Sequence, residues 1–190
     1  MANRIYITGG SGSGKSRLAR EVASRTSLPM YDLDLVARVG GGNGPAREAS
    51  ERDAMVADIL AAQRWIAEGI HVGWTDPLLA AAETIIWLDH VTWQKSSGRI
   101  VRRFFDGAVA ESRRRGWRGL FRFRDYARHG RELIAGVLGS RRYQGGGAAE
   151  EESRAATQAA LEPYMSKVVH CRTASDVTAA VAVVTAGPAA

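Results

Sequence analysis

The chain has 190 residues, 45% hydrophobic and 24% charged, with a net charge of +6. That length and mix suit one globular domain, 1–190, with its own core, and exclude a mainly disordered chain. The single cysteine, Cys171, excludes an intrachain disulfide framework and a multi-cysteine zinc site; no apolar run can span a bilayer, and the N-terminus enters a strand-like run without a signal peptide, so a soluble cytoplasmic protein is expected.

In chain order, Arg4–Thr8 reads as a strand, and Lys15–Arg25 as a helix with Leu18, Ala19, Val22 and Ala23 on one face. Met30–Leu33 is a second strand, followed by the glycine cluster 40–45, a mobile connection. Glu51–Gln63 has helical spacing at Met55, Val56, Ile59 and Leu60, with Ser50 as its expected N-cap. Trp65–Ala67 and Thr84–Leu88 are the third and fourth strands, and Thr92–Phe105 is a helix. Gly145-Gly146-Gly147 forms a second mobile connection, Glu150–Met165 is a long helix, Val168–Cys171 is the fifth strand, and Cys171 is expected to be a reduced core residue. Ser175–Thr185 closes the chain as a helix with Ser175 as the expected cap, and the tail 186–190 is expected to fray. Strands alternating with helices predict a three-layer α/β fold, a mostly parallel sheet covered on both faces.

The charge is unevenly placed. Thirteen of the 23 arginines lie between Arg99 and Arg142, against four acids and no lysine. That stretch carries +9, which leaves −3 for the rest of the chain. Guanidinium groups grip phosphate oxygens in pairs, but a run of arginines also suits a solvated helix surface.

The most specific motif is Gly9-Gly10-Ser11-Gly12-Ser13-Gly14-Lys15-Ser16, which fits G-x-x-x-x-G-K-[ST]. A strand precedes it and an amphipathic helix follows, as a phosphate-binding loop requires. The glycines let backbone N–H groups reach phosphate, Lys15 would span the β- and γ-phosphates, and the Ser16 hydroxyl would ligate Mg²⁺. Binding of ATP or GTP is the expectation.

Carboxylates at the ends of the other strands complete the expected site, because open α/β sheets bind ligands there. Asp32 and Asp34 are two apart, so in an extended segment both face the cleft. One can support Mg²⁺ while the other takes a proton from an acceptor hydroxyl, and the same pair also fits exposed loop acids or a helix cap. Glu68 follows the third strand, where a magnesium-supporting carboxylate belongs, and Gly69 leaves room for substrate. His71 and Trp74 share that loop and are candidates to touch the acceptor, Trp74 by stacking. Asp89 ends the fourth strand and is either a catalytic acid or a cap.

Residues 4–105 carry a resemblance. The run Arg4–Arg20 is similar to the opening of adenylate-kinase-like P-loop kinases. Trp65–Trp74, Ile85–Asp89 and Arg99–Phe105 resemble, in the same order, blocks of the topology modulation protein family, whose fold is that of small nucleotide kinases. Asp32-Leu33-Asp34 is similar to the D-x-D of shikimate and gluconate kinases, which implies a Mg²⁺ and acceptor-hydroxyl motif. Glu68-Gly69-Ile70-His71 resembles a block of uridine kinases and phosphoribulokinases. The resemblance implies the strand order 2-3-1-4-5, and it places Arg99, Arg102 and Arg103 where such kinases keep lid arginines. The adenylate kinase D-G-[FY]-P-R block is absent, Glu68-Gly69 replaces a glycine triplet of shikimate kinases, and Arg17 replaces the common second hydroxyl residue after the P-loop lysine, which removes an expected contact to the α-phosphate but not the loop.

The leading reading is a P-loop kinase that moves the γ-phosphoryl of ATP to a nucleoside, nucleotide or hydroxylated metabolite. Gly9 to Ser16, Arg17 and Arg102 would contact the nucleotide. Ser16, Asp32 and Glu68 would hold the metal. Lys15, Asp34, Arg99 and Arg103 would carry the chemistry, and Asp34, Glu68, His71 and Trp74 would meet the acceptor. Residues 95–147 would form an Arg-rich helical lid that closes when the acceptor binds. Two other readings fit the same residues: a nucleic-acid-associated regulator stacking bases on Phe104, Phe105, Trp117, Phe121, Phe123 and Tyr126, and a nucleotide binder without chemistry. Membrane attachment is not expected.

Overall fold

The structure, a computed structural model, describes residues 2–41, 44–71, 73–92, 94–102, 105–106, 123–147 and 152–186. Strands β1 (Arg4–Gly9), β2 (Met30–Asp32), β3 (Trp65–Glu68), β4 (Thr84–Leu88) and β5 (Val168–Cys171) form one sheet in the order β2-β3-β1-β4-β5. All four pairings are parallel. The strand order agrees with the one the resemblance implied.

The strands alternate between two cores. Ile5, Ile7, Ile86 and Leu88 face one cluster with Leu18, Val22, Val181 and Val184. Tyr6, Ile85, Trp87 and Ala67 face the other with Leu33, Val36, Val56, Ile59, Leu78 and Leu161. Period-two alternation with both faces apolar is what a parallel sheet needs when helices cover both sides. Helices α1 (Lys15–Thr26) and α8 (Ala174–Thr185) cover the first face; α2 (Leu33–Ala37), α3 (Ala49–Ala61), α4 (Asp76–Ala81) and α7 (Arg154–Leu161) cover the second. Residues 94–102 form α5, and Phe123–Gly145 form α6. Cys171 is free and buried, and burial pushes its thiol up to about 11. No described helix is long and apolar enough to cross a membrane.

Several element ends differ from expectation, each for a capping reason. β2 stops at Asp32, whose carboxylate accepts the Asp34 N–H at 2.9 Å and starts α2. Helix α3 is entered from Glu48 without a side-chain cap, so Ser50 lies inside it. The helix expected over Glu150–Met165 begins only at Arg154, behind the Ser153 cap, and passes into a 3-10 turn at Glu162–Lys167 where Pro163 lacks an N–H. Helix α8 is capped by Thr173, not Ser175; Thr173 and Asp176 close a capping box.

Candidate functional site

The loop between β1 and α1 has the backbone its glycines permit. Gly12 and Gly14 take φ of 75° and 100°, a region costly for residues with a Cβ. Ser13 N–H closes onto the Gly10 carbonyl at 3.1 Å. Gly14 caps α1 without a side-chain hydrogen bond, so the first-turn N–H groups are not capped by it. Gly9 and Gly10 are required by close approach: a Cβ on Gly9 would lie 2.5 Å from the Leu88 carbonyl oxygen, and one on Gly10 would lie 2.6 Å from the Tyr143 ring. Thr8 Oγ1 and Ser13 Oγ are buried without a hydrogen-bond partner.

Glu68 ends β3 in register with Asp32 of β2 and Ile7 of β1, which carries it to the carboxyl edge beside the loop. It is only 2% exposed. Burial pushes its carboxyl above the ordinary range; the Ser16 hydrogen bond and the Lys15 charge oppose that, while Asp32 and Asp34 add to it. A buried carboxylate held by a hydroxyl and a lysine, with no arginine clamp among the described residues, suits a cation.

Asp34 stands in the first turn of α2, not on an extended strand, so the expected same-face pair is corrected. The Asp32 carboxylate is turned to its own helix, and the Asp34 carboxylate reaches His71 Nε2 at 2.9 Å. That hydrogen bond, with Lys15, His71 and Arg38 nearby, holds Asp34 below the ordinary carboxylate range against the upward push of burial. His71 Nδ1 lies 3.8 Å from Glu152 Oε1. The rings of His71 and Trp74 sit 5.3 Å apart, and the Arg52 guanidinium lies 5.2 Å over Trp74. Arg52 Nε is buried with no hydrogen-bond partner. The structure thus brings Lys15, Ser16, Asp32, Asp34, Glu68, His71 and Trp74 to one edge of the sheet.

Asp89 has a different setting. Arg154 donates from Nε and Nη2 to its two oxygens at 2.7–2.9 Å, and His170 Nε2 lies 3.0 Å away. Burial pushes its carboxyl up, but these partners outweigh it and the net shift is downward. His170 stacks on Trp87 at 4.0 Å, and Trp87 Nε1 donates to the Tyr143 hydroxyl at 2.9 Å. Helix α6 is thereby tied to the sheet beside the phosphate loop. Ser96 of α5 donates to the Ser11 carbonyl. A small cleft lined by Gly10, Ser11, Ser13, Asp89, Ser140 and Tyr143 separates these helices from the loop.

The remaining expected residues lie further out. Arg17 and Arg99 are exposed, and Arg102 pairs with Asp106 at 3.7 Å. Arg103, Phe104, Trp117, Phe121 and the tail 187–190 lie outside the described residues, as do the side chains of Phe123 and Tyr126. Arg52, Glu152, Tyr143 and Ser96 escaped sequence reasoning. Nothing local marks them, since each meets the site only through folding.

No protein-family model and no curated protein matches the chain. Solved structures do resemble it. A shikimate kinase from Aquifex aeolicus is 20% identical with a TM-score of 0.36, and the match covers 46% of this chain and 64% of that one, less than two-thirds of its length. A shikimate kinase from Acinetobacter baumannii, solved with shikimate, is 12% identical with a TM-score of 0.47 over 96% and 92% of the two chains. A gluconokinase from Sinorhizobium meliloti is 19% identical with a TM-score of 0.40 over 74% and 95%. The fold assignment rests on the strand order and the loop, not on these likenesses.

Proposed function

We propose that the protein is an ATP-dependent P-loop kinase acting on a hydroxyl of a small acceptor: a nucleoside, a nucleotide or a hydroxylated metabolite. The observation that carries this reading is the position of Lys15, whose charge acts on both Glu68 and Asp34. A lysine whose charge reaches both a metal-side and an acceptor-side carboxylate suits in-line phosphoryl transfer. The narrower kinship with topology modulation proteins belongs to the same proposal and rests on the sequence blocks quoted above.

The residues fit the groups this reaction requires. The left-handed backbone and the open space at Gly14 leave the start of α1 approachable by phosphate. The adjacent Ser16 hydroxyl and Glu68 carboxylate are hard oxygen donors of the kind magnesium takes alongside water and phosphate. Among the described residues no group of three or more His, Cys, Asp or Glu forms a metal cage by itself, so Asp32, turned to capping α2, would act on the metal at most through water. When bound, the magnesium nucleotide supplies the phosphoryl group: the acceptor oxygen bonds to phosphorus, the bridging P–O bond breaks, and ADP leaves with the electron pair.

The chain's own residues do the rest. Lys15 neutralises phosphate charge, and Asp34 accepts the hydrogen bond and then the proton of the acceptor hydroxyl. Trp74 gives the acceptor a flat wall, and the unpartnered Arg52 Nε favours an acceptor that brings its own oxygen acceptors. Arg99, Arg102 and Arg103 would close over the phosphates as part of the lid. The test is a panel of nucleosides, nucleotides, sugars and hydroxy acids with ATP, read as a mass gain of one phosphoryl group. Product with the wild-type chain and none with Lys15→Ala supports the reading; no product across the panel sinks it.

A further inference from the structure

His71, in the loop after β3, is held from several elements. Its carbonyl accepts the Tyr6 hydroxyl at 3.1 Å and the Thr75 hydroxyl at 2.8 Å. Its ring lies against Trp74, and its two nitrogens face the carboxylates of Asp34 and Glu152 at 2.9 and 3.8 Å. The imidazole is 13% exposed, whereas the Asp34 side chain is 48% exposed on a helix of five residues. An ionised carboxylate only accepts hydrogen bonds, so the Nε2 facing Asp34 carries the proton. A half-exposed carboxylate on so short a helix has several rotamers open to it, and a more enclosed donor aimed at one oxygen selects among them.

We infer that His71 is a positioning residue: it locks the Asp34 carboxylate in the orientation that receives the acceptor hydroxyl, and Glu152, where the chain returns from α6 to α7, steadies the far side of its ring. This rests on the kinase reading of Asp34. It moves His71 from contacting substrate to acting through another residue. It also gives the stretch just before α7 a direct link to the acceptor side. Lys15, Arg38, Asp32 and Glu68 are the other charged groups near this pair.

Two measurements decide it. The full chain has four histidines, so ¹⁵N-histidine NMR resolves them individually, with His71→Gln supplying the assignment. The expected spectrum has the His71 proton on Nε2, with that signal shifted by Asp34→Ala. A proton on Nδ1 with none on Nε2, or a signal indifferent to Asp34→Ala, overturns the pairing whether or not the protein is a kinase. The second measurement is steady-state kinetics on whichever acceptor the panel identifies, with variants checked by thermal melting. His71→Phe should lower kcat about tenfold to a hundredfold and leave the KM for ATP within about twofold, and His71→Gln, which keeps a donor, should recover most of the loss. Glu152→Gln should cost about twofold, as an exposed partner does. Gln no better than Phe, or a loss confined to the acceptor KM, overturns the positioning role. An empty panel with an intact Nε2 signal removes the kinase reading, and the role with it, while the pair itself stands.

Discussion

Glu68 ends one of the two strands that flank β1 and Asp89 directly follows the other, and in sequence they look alike: an acid at the end of an apolar run. Their surroundings are opposite. Asp89 is met by an arginine and a histidine that hold its carboxyl below the ordinary range. Glu68 is 2% exposed, its favourable partners among the described residues are a hydroxyl and a lysine charge, and it stays above that range. A fully compensated carboxylate is a clamp, and an under-compensated one is poised to take a cation. In the proposed kinase the side of β1 toward β3 is therefore the side of chemistry, and the side toward β4 is the side that ties α6 and α7 to the sheet.

The largest test of that division is Lys15→Ala, which should cut acceptor-dependent ATP consumption about a thousandfold, as losing a preorganised charge does. Glu68→Gln should lower kcat about a hundredfold without destabilising the fold at neutral pH. Its sign follows from the raised folded value: the stability Glu68 contributes is present below its unfolded value near 4.5 and is lost as pH rises through the folded value. The melting temperature of Glu68→Gln relative to wild type should thus increase between pH 4 and pH 8 (about the accessible range), and a decrease breaks the comparison.

Arg154→Ala should do the reverse, leaving Asp89 with His170 as its remaining described partner. Urea titration should show a loss of about 2 kcal/mol, with nucleotide affinity changed by less than about threefold. The smallest effect is on acid stability. Asp89 has a lowered folded value, so its stabilisation is present above the unfolded value near 3.8 and lost as pH falls through the folded one. Wild type and Asp89→Asn should converge in stability as the solution is acidified through that window. A constant gap across it would mean that the clamp does not depend on ionised Asp89.

Much of this was legible beforehand. The phosphate loop reads from sequence because its demands are local: glycines at fixed offsets, then a lysine and a hydroxyl opening a helix. The five strands read because both faces of a parallel sheet must be apolar. Asp32 misled, since an acid after a strand serves equally as an extended ligand or as a helix cap, and only the backbone turning at Leu33 separates the two. The same ambiguity put the cap of α8 at Ser175 when Thr173, with Asp176 three residues on, makes the stronger box.

By itself, then, the sequence determined the nucleotide loop, the layered sheet, the carboxylate candidates at its edge and the basic block of +9. It could not tell Glu68 from Asp89, because a carboxylate's character depends on which cation folding brings beside it: Arg154 is 65 residues away along the chain. Nor could it show that His71 faces Asp34 across 37 residues, or that Arg52 lies over Trp74. Local spacing encodes backbone conformation, whereas desolvation and charge pairing belong to the packed chain.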